Sequence, residues 1–114
     1  MTLPSASKPE LLVNLGLARH SCFVFQGEVE DINAAISDLQ IAVDQTTDDC
    51  AYKAMCLNSL GNAQQSHFQA LKEGQDIEAA ILNYQHAVEL VSDDSVKKPI
   101  YLQCLAVAEA HPVK

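Results

Sequence analysis

The amino-acid sequence predicts an all-α protein, an α-solenoid of about two and a half helix-pair repeats. Residues of the first half return in the second at a constant offset of 45 positions, as in Gly16 to Gly61 and Ile36 to Ile81. Apolar residues recur at the i, i+3, i+4 and i+7 spacing of helices that bury one side. No stretch alternates with period two for long enough to form a strand. A fixed period in this range is typical of stacked repeats.

The repeat divides the chain without a gap between its two complete copies. A third copy begins and then stops, since Lys98, Leu102 and Leu105 stand 45 positions beyond Lys53, Leu57 and Leu60. The predicted divisions are a leader at 1–7, repeat 1 at 8–52, repeat 2 at 53–97 and a partial repeat 3 at 98–114. We expect the partial repeat to cap the stack, because terminal repeats usually have that role.

Five antiparallel helices are predicted, each bounded by residues that favour a cap or a turn. The first begins after Ser7, a suitable N-cap residue, and ends before Gly27. An aspartate of the turn at 46–49 is available as N-cap of the third helix, and Gly74 is predicted to end the loop after it. His111-Pro112 ends the fifth, because the residue before a proline leaves the helical region. The predicted spans are Lys8 to Phe25, Asp31 to Thr46, Cys50 to Leu71, Asp76 to Val91 and Val96 to Ala110.

Small residues at matched positions predict how the two helices of each unit pack. A glycine inside a helix costs about 1 kcal/mol relative to alanine, so Gly16 and Gly61 indicate close helix approach. Ala35 and Ala80 are predicted to be buried at the crossings, and Leu39 and Tyr84 to fill the adjacent hollows. In the fifth helix Ile100 and Val107 are expected to point away from Leu102 and Leu105 and to leave an apolar edge that favours self-association or a further helix.

Composition excludes several classes of function. The net charge of −8 argues against nucleic-acid binding, which needs a clustered basic patch. It favours either solubility or a basic partner. No apolar run is long enough for a membrane span, and no secretory signal is visible at the start. The four cysteines lack the Cys-x-x-Cys spacing, and free thiols of this kind are typical of a cytoplasmic protein.

The order of small and aromatic residues resembles that of tetratricopeptide-like repeats. Leu60-Gly61 in the third helix is followed by Ala80, Tyr84 and Ala87 in the fourth. The period of 45 is longer than the familiar period of about 34. The family's unit-ending proline and its tryptophan are also absent, with leucines at the tryptophan position. The first copy shows the same order with Leu15, Gly16, Ala35, Leu39 and Ala42.

The long unit is most similar to repeat arrays of large fungal proteins, which often precede a caspase-like (CHAT) peptidase domain. The resemblance implies a non-catalytic protein–protein interaction scaffold that binds a peptide or partner helix in a concave groove. The alternative that it implies is a sensor or regulatory fragment of a multidomain CHAT peptidase. Motifs of the peptidase elsewhere in the parent reading frame would distinguish the two.

In this family the first helix of each unit lines the groove, and the Leu-Gly pair places the groove positions. Amides at Asn58, Asn62 and Gln65 lie roughly one turn apart and can hydrogen-bond an extended peptide backbone. The alternative is that they form a solvated helix face. The implied groove residues are Met55, Asn58, Asn62, Gln65 and Ser66 in repeat 2, and Glu10, Val13, Leu17, His20 and Ser21 in repeat 1.

Other kinds of site are not expected. One subtype of the family binds C-terminal carboxylates, but its cationic positions hold Val13, Ser59, Ile100 and Cys104 here. His20 and Cys22 are two apart and point in different directions on a helix, so no metal site is predicted. No local signature of nucleophilic catalysis surrounds a cysteine or a histidine. We therefore predict no enzymatic activity and no cofactor.

Overall fold

The architecture was taken from a computed structural model, which describes residues 8–50 and 52–110. Over these residues the chain forms five helices and no strand, so the all-α prediction is confirmed. No helix there is long and apolar enough to cross a membrane. The predicted caps at Ser7 and at His111-Pro112 lie outside the described residues. The helices are α1 (Lys8–Gln26), α2 (Val29–Asp44), α3 (Lys53–Leu71), α4 (Gly74–Leu90) and α5 (Lys98–Glu109).

The turns inside the two helix pairs share one backbone bend. Gly27 follows α1 with a φ of 74°, and Lys72, its equivalent 45 positions later, follows α3 with a φ of 59°. The loop after α3 ends at Gly74, the first residue of α4, and the left-handed residue in it is Lys72. The aspartate cap predicted for α3 is wrong, since its N-cap residue is Tyr52, which makes no side-chain cap hydrogen bond.

Each helix packs against the next one in the chain, from α1 to α5. Besides these sequential contacts, α1 contacts α3 and α3 contacts α5. Among the five described helices, α2 does not contact α4, and α1 contacts neither α4 nor α5. The molecule measures 47 × 36 × 21 Å along its principal axes. Since α3 has neighbours on more sides than any other helix, most of its side chains in the first four turns are buried.

The crossing of each helix pair depends on a glycine in the first helix. A Cβ atom on Gly16 would lie 2.7 Å from Cγ of Leu39, and one on Gly61 would lie 2.7 Å from Cε1 of Tyr84. Leu39 and Tyr84 are fully buried, as are the nearby alanines of the second helices. The predicted close approach at both glycines is therefore confirmed, together with the burial of Ala35 and Ala80.

The C-terminal helix α5 covers part of the second unit. Its Ala108 is buried in a cluster with Tyr84 and Phe68. Ile100 and Val107 are exposed, as the sequence predicts. Leu102, which the prediction places on the opposite side of the helix, is exposed as well. Self-association through this edge stays a prediction.

A buried lysine closes the C-terminus of α2. Lys53 Nζ donates hydrogen bonds to the carbonyl oxygens of Val43 and Thr46, each at 2.8 Å. A cation at this end of a helix is favoured by the helix dipole and satisfies carbonyls that lack a partner within the helix. Its repeat equivalent, Lys98, lies 3.4 Å from the Val91 carbonyl oxygen after α4 and 2.8 Å from Asp93. The repeat matches these lysines in sequence, but their capping role was not predicted.

Candidate ligand pocket between α1 and α3

A polar pocket of about 310 Å³ opens between α1 and α3. Four of its five lining residues are predicted groove positions, three from α3 and one from α1. The two helices begin the helix pairs α1–α2 and α3–α4, and they contact one another. The lining residues are His20, Asn62, Gln65, Ser66 and Gln69.

The other predicted groove positions lie elsewhere. Val13 is 1% exposed and belongs to the hydrophobic core, and its repeat equivalent Asn58 is 9% exposed. These two positions share the inward side of their helices, so neither forms the open surface. Met55 is half-buried against the core, whereas Leu17 is 40% exposed without lining the pocket. On α1, Glu10 and Ser21 are exposed and lie outside the pocket lining.

Gln69 lines the pocket but was not among the predicted residues. It follows Gln65 by four positions and Ser66 by three, which places it one helical turn further along the same face of α3. The regular spacing of amides along α3 was therefore a signal that could have identified it.

Tyr84 supports the pocket from beneath. Its ring is fully buried, and its hydroxyl lies 2.6 Å from Oδ1 of Asn62 and 3.0 Å from Oε1 of Gln65. A phenol has one hydrogen, so it donates to one amide oxygen, and the other amide can turn to donate its N–H to the phenol oxygen. Burial raises the pKa of Tyr84, so the hydroxyl stays protonated. Two of the lining amides are thus held in position by a residue of α4.

His20 crosses from α1 to α3. Its Nε2 lies 2.7 Å from the hydroxyl oxygen of Ser66, and either group can be the donor, depending on the imidazole tautomer. Burial lowers the pKa of His20, which favours the neutral ring at physiological pH. In the described part of the chain no hydrogen bond joins the other ring nitrogen to a carboxylate. The pair therefore offers hydrogen-bonding groups to a ligand.

Asn58 carries an unusual polar atom just below the pocket residues. It precedes Asn62 by one turn, and its Oδ1 is buried with no hydrogen-bond partner among residues 8–50 and 52–110. A buried acceptor of this kind costs about 1–3 kcal/mol when it is left unsatisfied.

The lining of the pocket is polar but uncharged. Three amides, one hydroxyl and one neutral imidazole supply both donors and acceptors, and no lysine, arginine or carboxylate takes part. An extended peptide backbone presents the same mixture of donors and acceptors. A free carboxylate would need a cationic partner, which this lining does not contain.

The cysteines do not contribute a reactive group to the pocket. All four are free, and Cys56, the most buried, has its pKa raised to about 11 by burial. A thiol in such surroundings is protonated at neutral pH and is a poor nucleophile. None of the four lines the pocket.

Comparison of the chain with protein-family models, curated proteins and solved structures found no match. Within the chain, the halves related by the 45-residue offset match in the contacts of Leu39 with Gly16 and of Tyr84 with Gly61.

Proposed function

We propose that the chain is a tetratricopeptide-like α-solenoid module that binds a protein through an extended peptide segment in the pocket between α1 and α3. The observation that carries this proposal is the convergence of His20, Asn62, Gln65 and Ser66 in one cavity. They come from two units, and the resemblance had assigned all four to the groove.

The pattern of helix contacts supports a solenoid. In a closed bundle α1 would also be expected to contact α4 or α5, whereas the contacts run between sequential helices and between consecutive first helices. The first helices of the two units can then form one continuous surface, as the groove requires.

The chemistry of the pocket supports a peptide ligand. Its volume is at the lower end of the range of about 300–1,000 Å³ that is usual for ligand pockets, so it fits a short segment. Amides held by Tyr84 can bind peptide N–H and C=O groups in a fixed orientation. The acidic net charge favours approach of a basic segment and opposes nucleic acid.

A test begins with peptides selected from a random library on the purified chain. The dissociation constant of a selected peptide is then measured by calorimetry for the wild type and for the variant Asn62→Ala/Gln69→Ala. Each lost hydrogen bond is worth about 0.5–1.5 kcal/mol, so the double variant should bind about tenfold more weakly.

The matched control is Gln75→Ala/Gln103→Ala, which removes two exposed amides away from the pocket. It should bind like the wild type. Equal binding by the pocket variant and the wild type would refute the proposed site, provided that circular dichroism shows the same helicity for both.

A further inference from the structure

The turn between α3 and α4 gathers three side chains that can each ligate a metal ion. His67 lies near the end of α3, Glu73 is the N-cap residue of α4, and Asp76 is in its first turn. One ligand atom from each, an imidazole nitrogen and two carboxylate oxygens, lie within 4.8 Å of one another. Within residues 8–50 and 52–110 no other group of three such side chains comes together. None of the three lines the peptide pocket.

Two of the three side chains are already held in place. His67 Nδ1 contacts Asp76 Oδ2, and these side chains are only 12% and 16% exposed. The contact links the last turns of α3 to the first turn of α4. Glu73 is exposed, so the group remains open to solvent on one side.

The same turn in repeat 1 provides an internal comparison. Its equivalent residues are Cys22, Glu28 and Asp31, and the backbone bond from the Asp31 N–H to the Glu28 carbonyl measures 3.0 Å, as does the bond between Asp76 and Glu73. Despite this shared backbone, the three side chains of repeat 1 do not converge. The shared turn alone therefore does not bring three such side chains together.

A purely structural role leaves part of the arrangement unexplained. Asp76 in the first turn of α4 favours the helix dipole, and its contact with His67 is a stabilising pair in its own right. Glu73, however, makes no side-chain cap hydrogen bond, although it occupies the N-cap position. A carboxylate oxygen of Glu73 lies within 4.8 Å of the ligand atoms of His67 and Asp76.

We propose that His67, Glu73 and Asp76 bind a divalent transition-metal ion, with Zn²⁺ as the best match. An imidazole nitrogen with carboxylate oxygens suits zinc and its neighbours, whereas Ca²⁺ and Mg²⁺ prefer oxygen ligands alone. The two carboxylates together balance the charge of the ion. This inference revises the sequence-based expectation of no metal site and does not depend on the peptide pocket.

The geometry requires only small changes. Ligand atoms about 2.1 Å from a tetrahedral zinc are roughly 3.4 Å apart, and the three atoms here already lie within 4.8 Å of one another. The ion takes the position between His67 Nδ1 and Asp76 Oδ2, so Nδ1 binds it unprotonated and the ring N–H is on Nε2. A neutral ring reaches this state by moving its proton from Nδ1 to Nε2 through solvent, and an imidazolium releases one proton to solvent. Water completes the fourth position. The bound ion would tie the end of α3 to the start of α4.

Calorimetric titration of the full chain with Zn²⁺ tests the proposal, with the thiols kept reduced by a phosphine that does not chelate metal. The wild type should bind one equivalent. His67→Ala and Glu73→Gln should each weaken binding by at least about tenfold, the lower end of the loss seen even for residues that only support a ligand. Glu73 is exposed, so its variant keeps the test valid if His67→Ala disturbs folding.

His86→Ala is the matched control, because His86 also contacts an aspartate, Asp48, at 3.1 Å but belongs to no such group. It should bind zinc like the wild type, as should Cys22→Ser, which removes the exposed thiol. Absence of a single-equivalent binding step in the wild type would overturn the proposal. Equal losses in Glu73→Gln and His86→Ala would overturn it as well, since they would indicate scattered surface binding.

Discussion

The two helix pairs of this protein follow one packing plan and differ in the side chain that fills the crossing. In α1–α2 the residue opposite Gly16 is Leu39, and in α3–α4 the residue opposite Gly61 is Tyr84. The tyrosine adds a hydroxyl that reaches Asn62 and Gln65, whereas the leucine ends in methyl groups. A buried position can therefore keep its packing role in both copies and, in one of them, also organise a polar surface.

A second contact between the two helices of each pair is also kept while the residue types that form it differ. In the first unit Arg19 and Asp38 form an ion pair at 3.1 Å between α1 and α2. Their equivalents, Gln64 and Asn83, form a neutral hydrogen bond of 2.7 Å between α3 and α4. The link between first and second helix is retained, and the neutral version suits α3, where Gln64 is buried.

The capping lysines give the largest expected difference between the units. Lys53→Met removes a buried cation bonded to two carbonyl oxygens and should lower the free energy of unfolding by about 3 kcal/mol. Lys98→Met should cost much less, because one of its bonds is long and its partner Asp93 is fully exposed. Urea denaturation of both variants measures the contrast. Equal losses would show that the two lysines do not differ in burial as described.

The crossing glycines give the next largest effect. Gly61→Ala should lower stability by about 2 kcal/mol, because the new methyl meets the rigid ring of Tyr84 and overpacking outweighs the gain in helix propensity. Gly16→Ala should cost about 1 kcal/mol, since the side chain of Leu39 can adjust.

The control for this prediction replaces Tyr84 by leucine, the residue that faces the glycine in the first helix pair. In a Tyr84→Leu background, Gly61→Ala should cost about 1 kcal/mol, as Gly16→Ala does opposite Leu39, and thermal denaturation of the four proteins gives the coupling. A Gly61→Ala cost that is unchanged by Tyr84→Leu would contradict the close approach of these two residues.

Replacing Asn58 by the residue at the equivalent position of the first half should stabilise the protein. Asn58→Val introduces the residue found 45 positions earlier, at Val13, and it removes a buried acceptor that has no partner in the described part of the chain. We expect a gain of about 1 kcal/mol in the free energy of unfolding. Asn62→Val is the control and should be destabilising, because it removes a partner of the Tyr84 hydroxyl. A loss of stability in Asn58→Val would indicate that this amide is satisfied in solution.

The smallest expected effect concerns pH. Burial lowers the pKa of His20 in the folded protein, so below the ordinary value of about 6.5 the unfolded chain binds more protons than the folded protein. The free energy of unfolding therefore decreases as the pH is lowered through that window. The melting temperature of His20→Gln should drop less than that of the wild type between about pH 7.5 and about pH 5.5. Identical drops in both proteins would remove the assignment to His20.

Much of the helix packing was predictable because residues with the same packing role recur 45 positions apart in the sequence. Gly16 and Gly61 at one offset, each with a large residue in the following helix, indicate close crossings without any knowledge of the tertiary structure. The helix spans followed from apolar spacing, with errors of a few residues at the ends. Such errors arise where caps depend on distant groups, as at Lys53, whose partners lie after α2.

The pocket was predictable in part. Helical spacing identifies which residues share a face, so Asn62, Gln65 and Ser66 could be grouped from the sequence. It does not determine how far a helix rotates when neighbours pack on several sides, which is why Val13 and Asn58 turn out to be buried. The group of His67, Glu73 and Asp76 was missed for a related reason, since its members meet only across the turn.

The most direct test of the central claim, that the surface shared by α1 and α3 is the binding site, is a nuclear magnetic resonance titration with a selected peptide. Side-chain amide resonances report on the site one residue at a time. Those of Asn62, Gln65 and Gln69 should shift together, while those of Gln75 and Gln103 stay in place. Shifts centred on Gln103 and the exposed edge of α5, with the pocket amides unmoved, would contradict the account.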